Sequence, residues 1–441
     1  MIDETDMKLE GSPHVSMAAE QNDISASQRP VTMKIELPVN SSPNQETHPQ
    51  HHQQEKQQLE DKDDDASNTS IRLDKSECLC KDDKILAAAS LLEGIDPKFF
   101  RPIHRYILHE ASLFHRLIEN SSSVIEPADN DDDDESSENE GQWIKQGTHQ
   151  RGHLNFAIYY KMDHARSQLT CRIETPIPSS LLVPLLSVLN ESELYSKWIP
   201  EWKVPKLQVV KSEKLRQSGR CSQIIHVVTV VPWPLAKREL FLKAVACDDI
   251  HSEGERRSDE GTCKGNDSRD VHRGKNRILI RIQSLDVRDN DYLKEEEEGL
   301  QIPPLQNGGV RMEVDGGFVI EKCPSDHPMA KVSTQSPSAS AQNDLVLVTF
   351  SFTVDPKLPI IPKSFINFFL RTAMGQIWNM FLNVAEDVKD GKRVEHCDEI
   401  ERKRDLYDWI EERTRVMLSE GSVGGGNGGG NGDGDDGSAA F

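Results

Sequence analysis

The stretch IIHVVTVVPWPLAKRELFL, residues 224–242, carries the strongest structural signal in the sequence. Its first eight residues are mostly β-branched and apolar, which predicts a buried strand. The strand runs into Pro232, Trp233 and Pro234, and it ends there because proline cannot donate to a strand ladder. Two basic residues and a second apolar run then predict another strand. The sequence therefore predicts two strands joined by a stiff turn that holds Trp233 on a rim.

Similar strand patterns lie on both sides of this stretch. In LNFAIYYKM, residues 154–162, the apolar side chains of Phe156, Ile158 and Tyr160 alternate with a more mixed set, so they share one face. Further strands are predicted at 167–178, 204–216, 221–231, 238–247, 276–287, 310–322 and 344–355. Long strands without crossover helices between them favour an antiparallel sheet.

Apolar residues at helical spacing predict helices before, between and after these strands. Two helices are predicted within residues 84–118, and one begins near Ser180, a suitable N-cap residue. The longest helix, residues 362–388, has a proline in its first turn. One stripe of this helix carries Phe365, Phe369, Ile377 and Met380. We expect the sheet to wrap around this helix.

The 441 residues carry a formal net charge of −22, yet residues 141–390 hold 32 Lys and Arg against 31 Asp and Glu. A near-neutral centre lacks the basic footprint of a nucleic-acid-binding protein, so no nucleic-acid partner is expected. The eight cysteines show no zinc-ligand spacing. No signal peptide is visible, and no stretch reaches the roughly 18 apolar residues of a membrane span. A cytoplasmic protein without metal or other cofactor is therefore expected.

Composition divides the chain into segments. Residues 1–83 are polar and acidic, and disorder is predicted there. A domain is predicted at 84–390, with its core at 142–388. Its polar connections are an acidic linker at 128–140 and loop insertions at 249–275, 289–308 and 324–343. A charged helix at 391–420 and a glycine-rich disordered tail at 421–441 are predicted to follow.

Four segments together resemble the START (StAR-related lipid transfer) family. They are ESELYSKWIPEWK (191–203), PWPLAKREL (232–240), GGVRMEVDGGFVIEKC (308–323) and VDPKLPIIPKSFINFFL (354–370). Glu239 stands where the family usually has Asp, and Leu358 replaces a glycine. The resemblance implies an α+β helix-grip fold, also that of Bet v 1-like proteins. In this fold a curved antiparallel sheet wraps around a long C-terminal helix and encloses a hydrophobic tunnel for one lipid.

The resemblance also implies the residues that contact the ligand. The apolar tunnel candidates are Phe156, Ile158, Tyr160, Phe350, Phe352, Phe365, Phe369, Ile377 and Met380. A few polar groups inside an apolar site usually fix the head group of the ligand. The polar candidates on strands are Arg172, Glu174, His226 and Arg311, together with Arg277, Arg281 and Glu313.

A gate at the membrane is implied for the turn after the first strand of the opening stretch. Indole rings settle at membrane–water interfaces, and basic side chains beside them can reach lipid phosphates. The gate and membrane contact is predicted to comprise Pro232, Trp233, Pro234, Leu235, Lys237 and Arg238.

The implied function is intracellular lipid binding and transfer by a monomer that contacts membranes peripherally and catalyses no reaction. Sterol carriers of the family have an arginine where this chain has Ala244, so a phospholipid or another lipid is favoured over a sterol. Two alternatives stay open. One is a cyclase or hydratase on the same fold that uses His226 or Glu174 as acid or base. The other is a protein that senses lipid and recruits partners through its acidic tails.

Overall fold

The structure of the chain is a computed structural model. It describes residues 67–122, 143–151, 154–163, 165–166, 168–199, 202–203, 206–230, 237–251, 276–285, 305, 309–333, 344–355, 357 and 373–419. All of these residues belong to one unit, Lys62–Phe441. Several predicted features lie outside them: the turn at Pro232–Leu235, residues 362–372 of the predicted C-terminal helix, the acidic linker at 128–140, most of the three loop insertions, residues 1–66 and the tail at 421–441.

The strands follow the predicted order, with two further strands at 144–151 and 202–203 and with the predicted strand 310–322 divided into two. They are β1 (Ile144–Arg151), β2 (Leu154–Asp163), β3 (Gln168–Pro178), β4 (Trp202–Lys203), β5 (Lys206–Ser218), β6 (Ser222–Val230), β7 (Lys237–Asp249), β8 (Arg277–Ser284), β9 (Gly309–Arg311), β10 (Glu313–Lys322) and β11 (Leu345–Asp355). Within the described part of the chain they form one sheet, in the order β1-β2-β3-β11-β10-β8-β7-β6-β5-β4. Its pairs are antiparallel, except that β9 runs parallel to the start of β7. The predicted antiparallel sheet is confirmed.

The helices flank this sheet. They are α1 (residues 67–81), α2 (Ile85–Ser90), α3 (Pro102–Ser122), α4 (Leu182–Asn190), α5 (Tyr195–Trp198), α6 (Pro328–Ser333), α7 (Gly375–Lys389), α8 (Val394–Arg402) and α9 (Arg404–Ser419). Ser180 does not cap α4. It lies in a short 3₁₀ turn, Ser179–Leu181, and its hydroxyl oxygen accepts a hydrogen bond from Lys389 Nζ at 2.9 Å.

One face of the sheet, called here the inner face, packs against α4 and α7. Side chains alternate between the two faces of a strand, so every second residue points to this side. The inner face contributes Phe156 and Ile158 of β2 and Ile173 of β3 to the main apolar core, where α4 and α7 add their own apolar residues. The largest hydrophobic cluster therefore lies between the sheet and these two helices.

The opposite face, called here the outer face, packs against the N-terminal helices. Val245, Cys247, Leu279 and Val319 lie on this side and form a second cluster with α1, α2 and α3. Leu73 of α1 belongs to that cluster and is buried. Residues 67–81 are therefore an ordered helix, although the sequence predicts disorder up to residue 83.

The C-terminal region extends the domain beyond residue 390. The predicted charged helix is a pair of helices, α8 and α9. Tyr407, Ile410 and Met417 of α9 are buried in the same core as α4 and α7. A fragment of residues 84–390 would lack these side chains and those of α1, so the predicted boundaries divide packed layers.

A glycine pair in β10 brings three strands close together. A Cβ on Gly316 would lie 2.2 Å from the carbonyl oxygen of Ser351 in β11, and a Cβ on Gly317 would lie 1.9 Å from that of Ile280 in β8. Gly317 also has a φ of +155°, which residues with a side chain rarely adopt. Only glycine fits both positions, because the backbones of β8 and β11 approach them too closely for a side chain.

Candidate functional site

An aromatic cluster fixes α7 against the inner face. The ring of Trp378 stacks on Phe350 with centroids 5.8 Å apart, and Phe318 stacks on Phe350 at 4.4 Å. The indole N–H of Trp378 donates to Thr175 Oγ1 of β3 at 2.8 Å. A tryptophan with a satisfied N–H and stacked neighbours is held in one orientation. This part of the space between sheet and helix is filled by side chains.

A second part of the inner face is less fully covered. Seven residues at the centre of the sheet, named here the apolar platform, are partly exposed: Leu240, Leu242, Ala244, Ala246, Ile278, Ile280 and Ile282. They occupy neighbouring inner-face positions on β7 and β8, where Ala244 pairs with Ile282 and Ala246 with Ile280. Both strands lie inside the sheet, so solvent reaches these side chains from the inner side. The platform is a continuous, partly exposed apolar surface, and apolar side chains of this kind predominate in ligand sites.

The outer face of the same strands is closed and charged. Lys243 and Arg281 lie on that side and are 6% and 2% exposed. Both meet Glu110 of α3: Arg281 Nη2 lies 2.6 Å from Glu110 Oε2, and Lys243 Nζ lies 3.5 Å from Oε1. The ring of Tyr106 also covers the ammonium group of Lys243. The two cations that α3 buries therefore face a carboxylate of opposite charge.

Most of the apolar tunnel candidates in described regions lie on the inner side. Phe156 and Ile158 are fully buried, and the ring of Phe156 stacks on His149 of β1 at 4.8 Å. Tyr160 and Phe350 are partly exposed on the inner face, whereas Phe352 is buried there. Ile377 and Met380 are partly exposed residues of α7. Phe365 and Phe369 lie outside the described residues.

The polar candidates of β3 lie on the outer face, because they alternate with the inner-face residue Ile173. Arg172 and Glu174 form an ion pair, and His327 Nε2 lies 3.5 Å from the other oxygen of Glu174. Burial alone would raise the pKa of Glu174, but His327 and Arg172 lower it overall, so this carboxyl is a charged partner of two basic groups.

His226 and Arg311 also lie on the outer face, opposite the platform. His226 Nε2 is 2.9 Å from Glu239 Oε1, its Nδ1 is 3.4 Å from Glu213 Oε1, and its ring stacks on Phe241. Arg311 of β9 pairs with Glu239 at 2.9 Å and covers the same Phe241 ring. This network attaches β9 to β7. The two residues of the enzymatic alternative, His226 and Glu174, are thus both separated from the platform by the sheet.

The remaining polar candidates are likewise engaged on the outer side. Arg277 pairs with Asp249 at 3.0 Å, and the exposed Glu313 pairs with Lys357 at 2.6 Å at the start of β10. The placement of these charges differs from the expectation that they line the space beside α7. Their physical role in the structure is to neutralise charge between packed elements.

At the predicted gate the structure describes only the two basic residues. Lys237 is exposed and Arg238 is buried at the start of β7. Thr229 of β6 pairs with Arg238, so Pro232, Trp233, Pro234 and Leu235 belong to the connection between these two strands. Their membrane role stays a prediction.

Sequence reasoning missed the platform. Its signal was the alternation in ELFLKAVAC, residues 239–247, where Leu240, Leu242, Ala244 and Ala246 share one face and the other carries Glu239, Phe241, Lys243, Val245 and Cys247.

Among the described residues no group of three or more His, Cys, Asp and Glu side chains is arranged to hold a metal ion. None of the described helices combines the length and apolar character needed to cross a membrane.

Comparison with known proteins adds a weak similarity in fold. No family model and no curated protein matches the chain. Human STARD10 matches at 14% identity and a TM-score of 0.37, covering 64% of this chain and 83% of that chain. A STAR-related lipid transfer protein from Xanthomonas axonopodis matches at 14% identity and a TM-score of 0.32, covering 56% of this chain and 98% of the other.

A third similar structure is human StAR-related lipid transfer protein 5, at 12% identity and a TM-score of 0.34, covering 56% of this chain and 87% of that one. The likeness is one of fold.

Proposed function

We propose that this chain binds one lipid over the apolar platform and exchanges it at membrane surfaces. The observation that carries this proposal is the contrast within β7 and β8. The charged residues of the outer face are buried almost completely, whereas the apolar residues of the inner face are partly exposed. A fold normally buries its apolar side chains first. An acyl chain laid over Leu240, Leu242 and Ile280 would complete their burial.

The energetics favour a carrier. Burial of apolar surface contributes about 25 cal/mol per Å², or about 0.8 kcal/mol for each CH₂ group. A lipid that moves from a bilayer to an apolar site exchanges one dry environment for another, so the equilibrium is nearly flat. The barrier to transfer is exposure of the acyl chain to water. A protein that takes up the lipid at the interface lowers this barrier without any covalent chemistry.

The apolar candidates suit the walls of such a site. Tyr160 and Phe350 on the inner face and Ile377 and Met380 on α7 are partly exposed, so they are available to a ligand. Phe365 and Phe369 precede them on the same predicted stripe. We infer that Trp233, Leu235 and Lys237 contact the membrane, since an amphipathic ring beside a cation suits the interface.

Uptake from vesicles tests this proposal. The purified full chain is incubated with phosphatidylcholine vesicles, separated from them, and analysed by native mass spectrometry. The expected result is one lipid bound per chain, and a denatured sample serves as control. If no lipid accompanies the protein from vesicles of phosphatidylcholine, phosphatidylserine or diacylglycerol-containing mixtures, the proposal is wrong.

A further inference from the structure

Two buried polar atoms lie beside the platform at the end of α4. Gln223 is 6% exposed and Ser192 is fully buried. Gln223 Oε1 and Ser192 Oγ have no hydrogen-bond partner within the described part of the chain. Leaving a buried acceptor or hydroxyl without a partner costs free energy, so each atom needs an explanation.

The turn that follows α4 contains Ser192, and Gln223 of β6 contacts the same turn. Gln223 Nε2 donates to the carbonyl oxygen of Asn190 at 3.2 Å, and Ser212 Oγ donates to the carbonyl oxygen of Ser192 at 2.6 Å. The first bond fixes the orientation of the amide, because only its nitrogen can donate to a carbonyl. The oxygen of Gln223 must therefore point elsewhere, and it remains available as an acceptor.

The position of Gln223 connects this turn to the platform. Gln223 lies on the inner face of β6, together with Ile225 and Val227, and pairs directly with Ala244 of β7. Ala244 and Ala246 are small and partly exposed, so Gln223 neighbours a part of the platform that solvent reaches. Gln223 lies six residues before Thr229, which at about 3.3 Å per residue places it roughly 20 Å from the gate end of the strand.

The charges near this turn disfavour an anionic head group. Lys214 and Lys403 are two cations that interact with carboxylates of this turn. Lys403 forms ion pairs with Glu191 and Glu399, and Lys214 lies in the field of Glu191 and Glu193. Three carboxylates thus accompany two ammonium groups, and a phosphate would add further negative charge. A neutral group that donates a hydrogen bond suits Gln223 Oε1 better.

We propose that Gln223 and Ser192 form a head-group subsite for an uncharged lipid with a free hydroxyl, such as a diacylglycerol. This inference rests on the proposed function and adds the class and orientation of the ligand. The lipid hydroxyl donates to Gln223 Oε1 and shares a hydrogen bond with Ser192 Oγ. Its acyl chains lie along the platform towards the gate end of β6 and β7, so the head group occupies the far end of the site.

A competition between two matched lipids tests the subsite. The full chain is incubated with phosphatidylcholine vesicles that contain equal amounts of dioleoylglycerol and its methyl ether, in which the hydroxyl is capped. Mass spectrometry of the bound lipid gives the ratio. The wild-type chain is expected to prefer the free hydroxyl by roughly tenfold, equivalent to about 1.4 kcal/mol.

Two variants remove the subsite in different ways. Ser192→Ala removes only the unpartnered hydroxyl, and Ala244→Leu fills the space beside the amide. Both are expected to bring the ratio near one. Ser192→Ala, which lies outside the platform, should in addition leave phosphatidylcholine uptake unchanged. Ser351→Ala, which removes a buried hydroxyl from the outer face, is the matched control and should keep the wild-type ratio.

The outcomes separate this inference from the proposed function. A wild-type ratio near one overturns the subsite, and so does a preference that survives Ser192→Ala and Ala244→Leu. In the latter case the two atoms serve only packing or hydration. Absence of any bound lipid, including phosphatidylcholine, overturns the proposed function itself. Ser192→Ala removes no hydrogen bond seen in the structure, so it tests the subsite even if Ala244→Leu destabilises the fold.

Discussion

The two faces of the central strands β7 and β8 differ in the polarity and in the burial of their side chains. On the outer face, α3 approaches charged residues and supplies their counter-charge through Glu110, so that almost no surface is left open. On the inner face, α4, α5 and α7 pack among apolar residues but leave the platform of β7 and β8 partly exposed. A buried ion pair tolerates little change in its surroundings, whereas an apolar surface accepts ligands of varied shape. The comparison indicates that the outer face stabilises the fold, whereas the inner face is the one on which we propose that a ligand binds.

The largest loss of stability is expected when the outer-face carboxylate shared by Arg281 and Lys243 is removed. Glu110→Ala leaves Arg281 and Lys243 buried without it, and we expect the free energy of unfolding to fall by about 3–5 kcal/mol. Urea unfolding measures the loss. Glu119→Ala, an exposed position on the same helix, is the control and should change little. A loss below about 1 kcal/mol for Glu110→Ala would show that the outer face does not depend on this network.

Two neighbouring residues of β8 lie on opposite faces of the sheet, so substituting each one tests whether the faces have separate roles. Leu279→Ala on the outer face should lower the free energy of unfolding by about 2–5 kcal/mol, because Leu279 is fully buried. Lipid bound per folded molecule should stay unchanged. Ile280→Asn on the inner face should cost less stability but reduce lipid binding roughly tenfold, or about 1.4 kcal/mol. Equal effects of the two changes on lipid binding would contradict the separate roles of the faces.

At the predicted gate, we expect a substitution to change the rate of lipid transfer more than the affinity for lipid. Trp233→Ala should remove a membrane contact worth about 1–3 kcal/mol by apolar area. Transfer of a fluorescent lipid between vesicles should slow by roughly tenfold, since about 1.4 kcal/mol corresponds to a factor of ten. Equilibrium loading of the same variant is the control and should be preserved. Loss of loading together with a lower melting temperature would make Trp233 a core residue.

The smallest expected effect concerns pH, and it involves both faces. Burial lowers the pKa of His109 on α3 and of His149, which stacks on Phe156 of the inner face. The unfolded chain protonates these groups near pH 6.5, and the lowered pKa means that the folded chain protonates them less readily. The folded state therefore binds fewer protons, and its stability should fall as the pH drops below about 6.5.

Melting temperatures at pH 7.5 and 5.5 check the effect of these two histidines. The double variant His109→Asn and His149→Asn should show a smaller difference between the two temperatures than the wild-type chain. An unchanged difference would mean that other groups cause the pH dependence.

The sequence predicts the strands and their antiparallel order well, because apolar alternation is a local signal. It places Phe156 and Ile158 on one face for the same reason. The head-group candidates illustrate its limit. Arg172 and Glu174 alternate with Ile173, so strand periodicity alone sets them on the opposite side from the core residue.

What periodicity does not reveal is that a charged face can be buried. The partner of Arg281 is Glu110, which lies 171 residues earlier in the chain. No local sequence pattern indicates that α3 covers Arg281. Likewise, α1 contains few apolar residues, yet Leu73 completes a cluster whose other members come from distant segments. Tertiary packing decides these cases, and local composition does not.

The pairing of β3 with β11 has a consequence for synthesis of the chain. Leu169 lies opposite Val354, so the sheet joins residues from the first and last thirds of the domain. While the ribosome extends the chain, β3 keeps one edge open until β11 has emerged. An open apolar edge can pair with another nascent chain, and pairing across such a separation is slow. Folding of this protein thus depends on protection of its first three strands until most of the chain has been made.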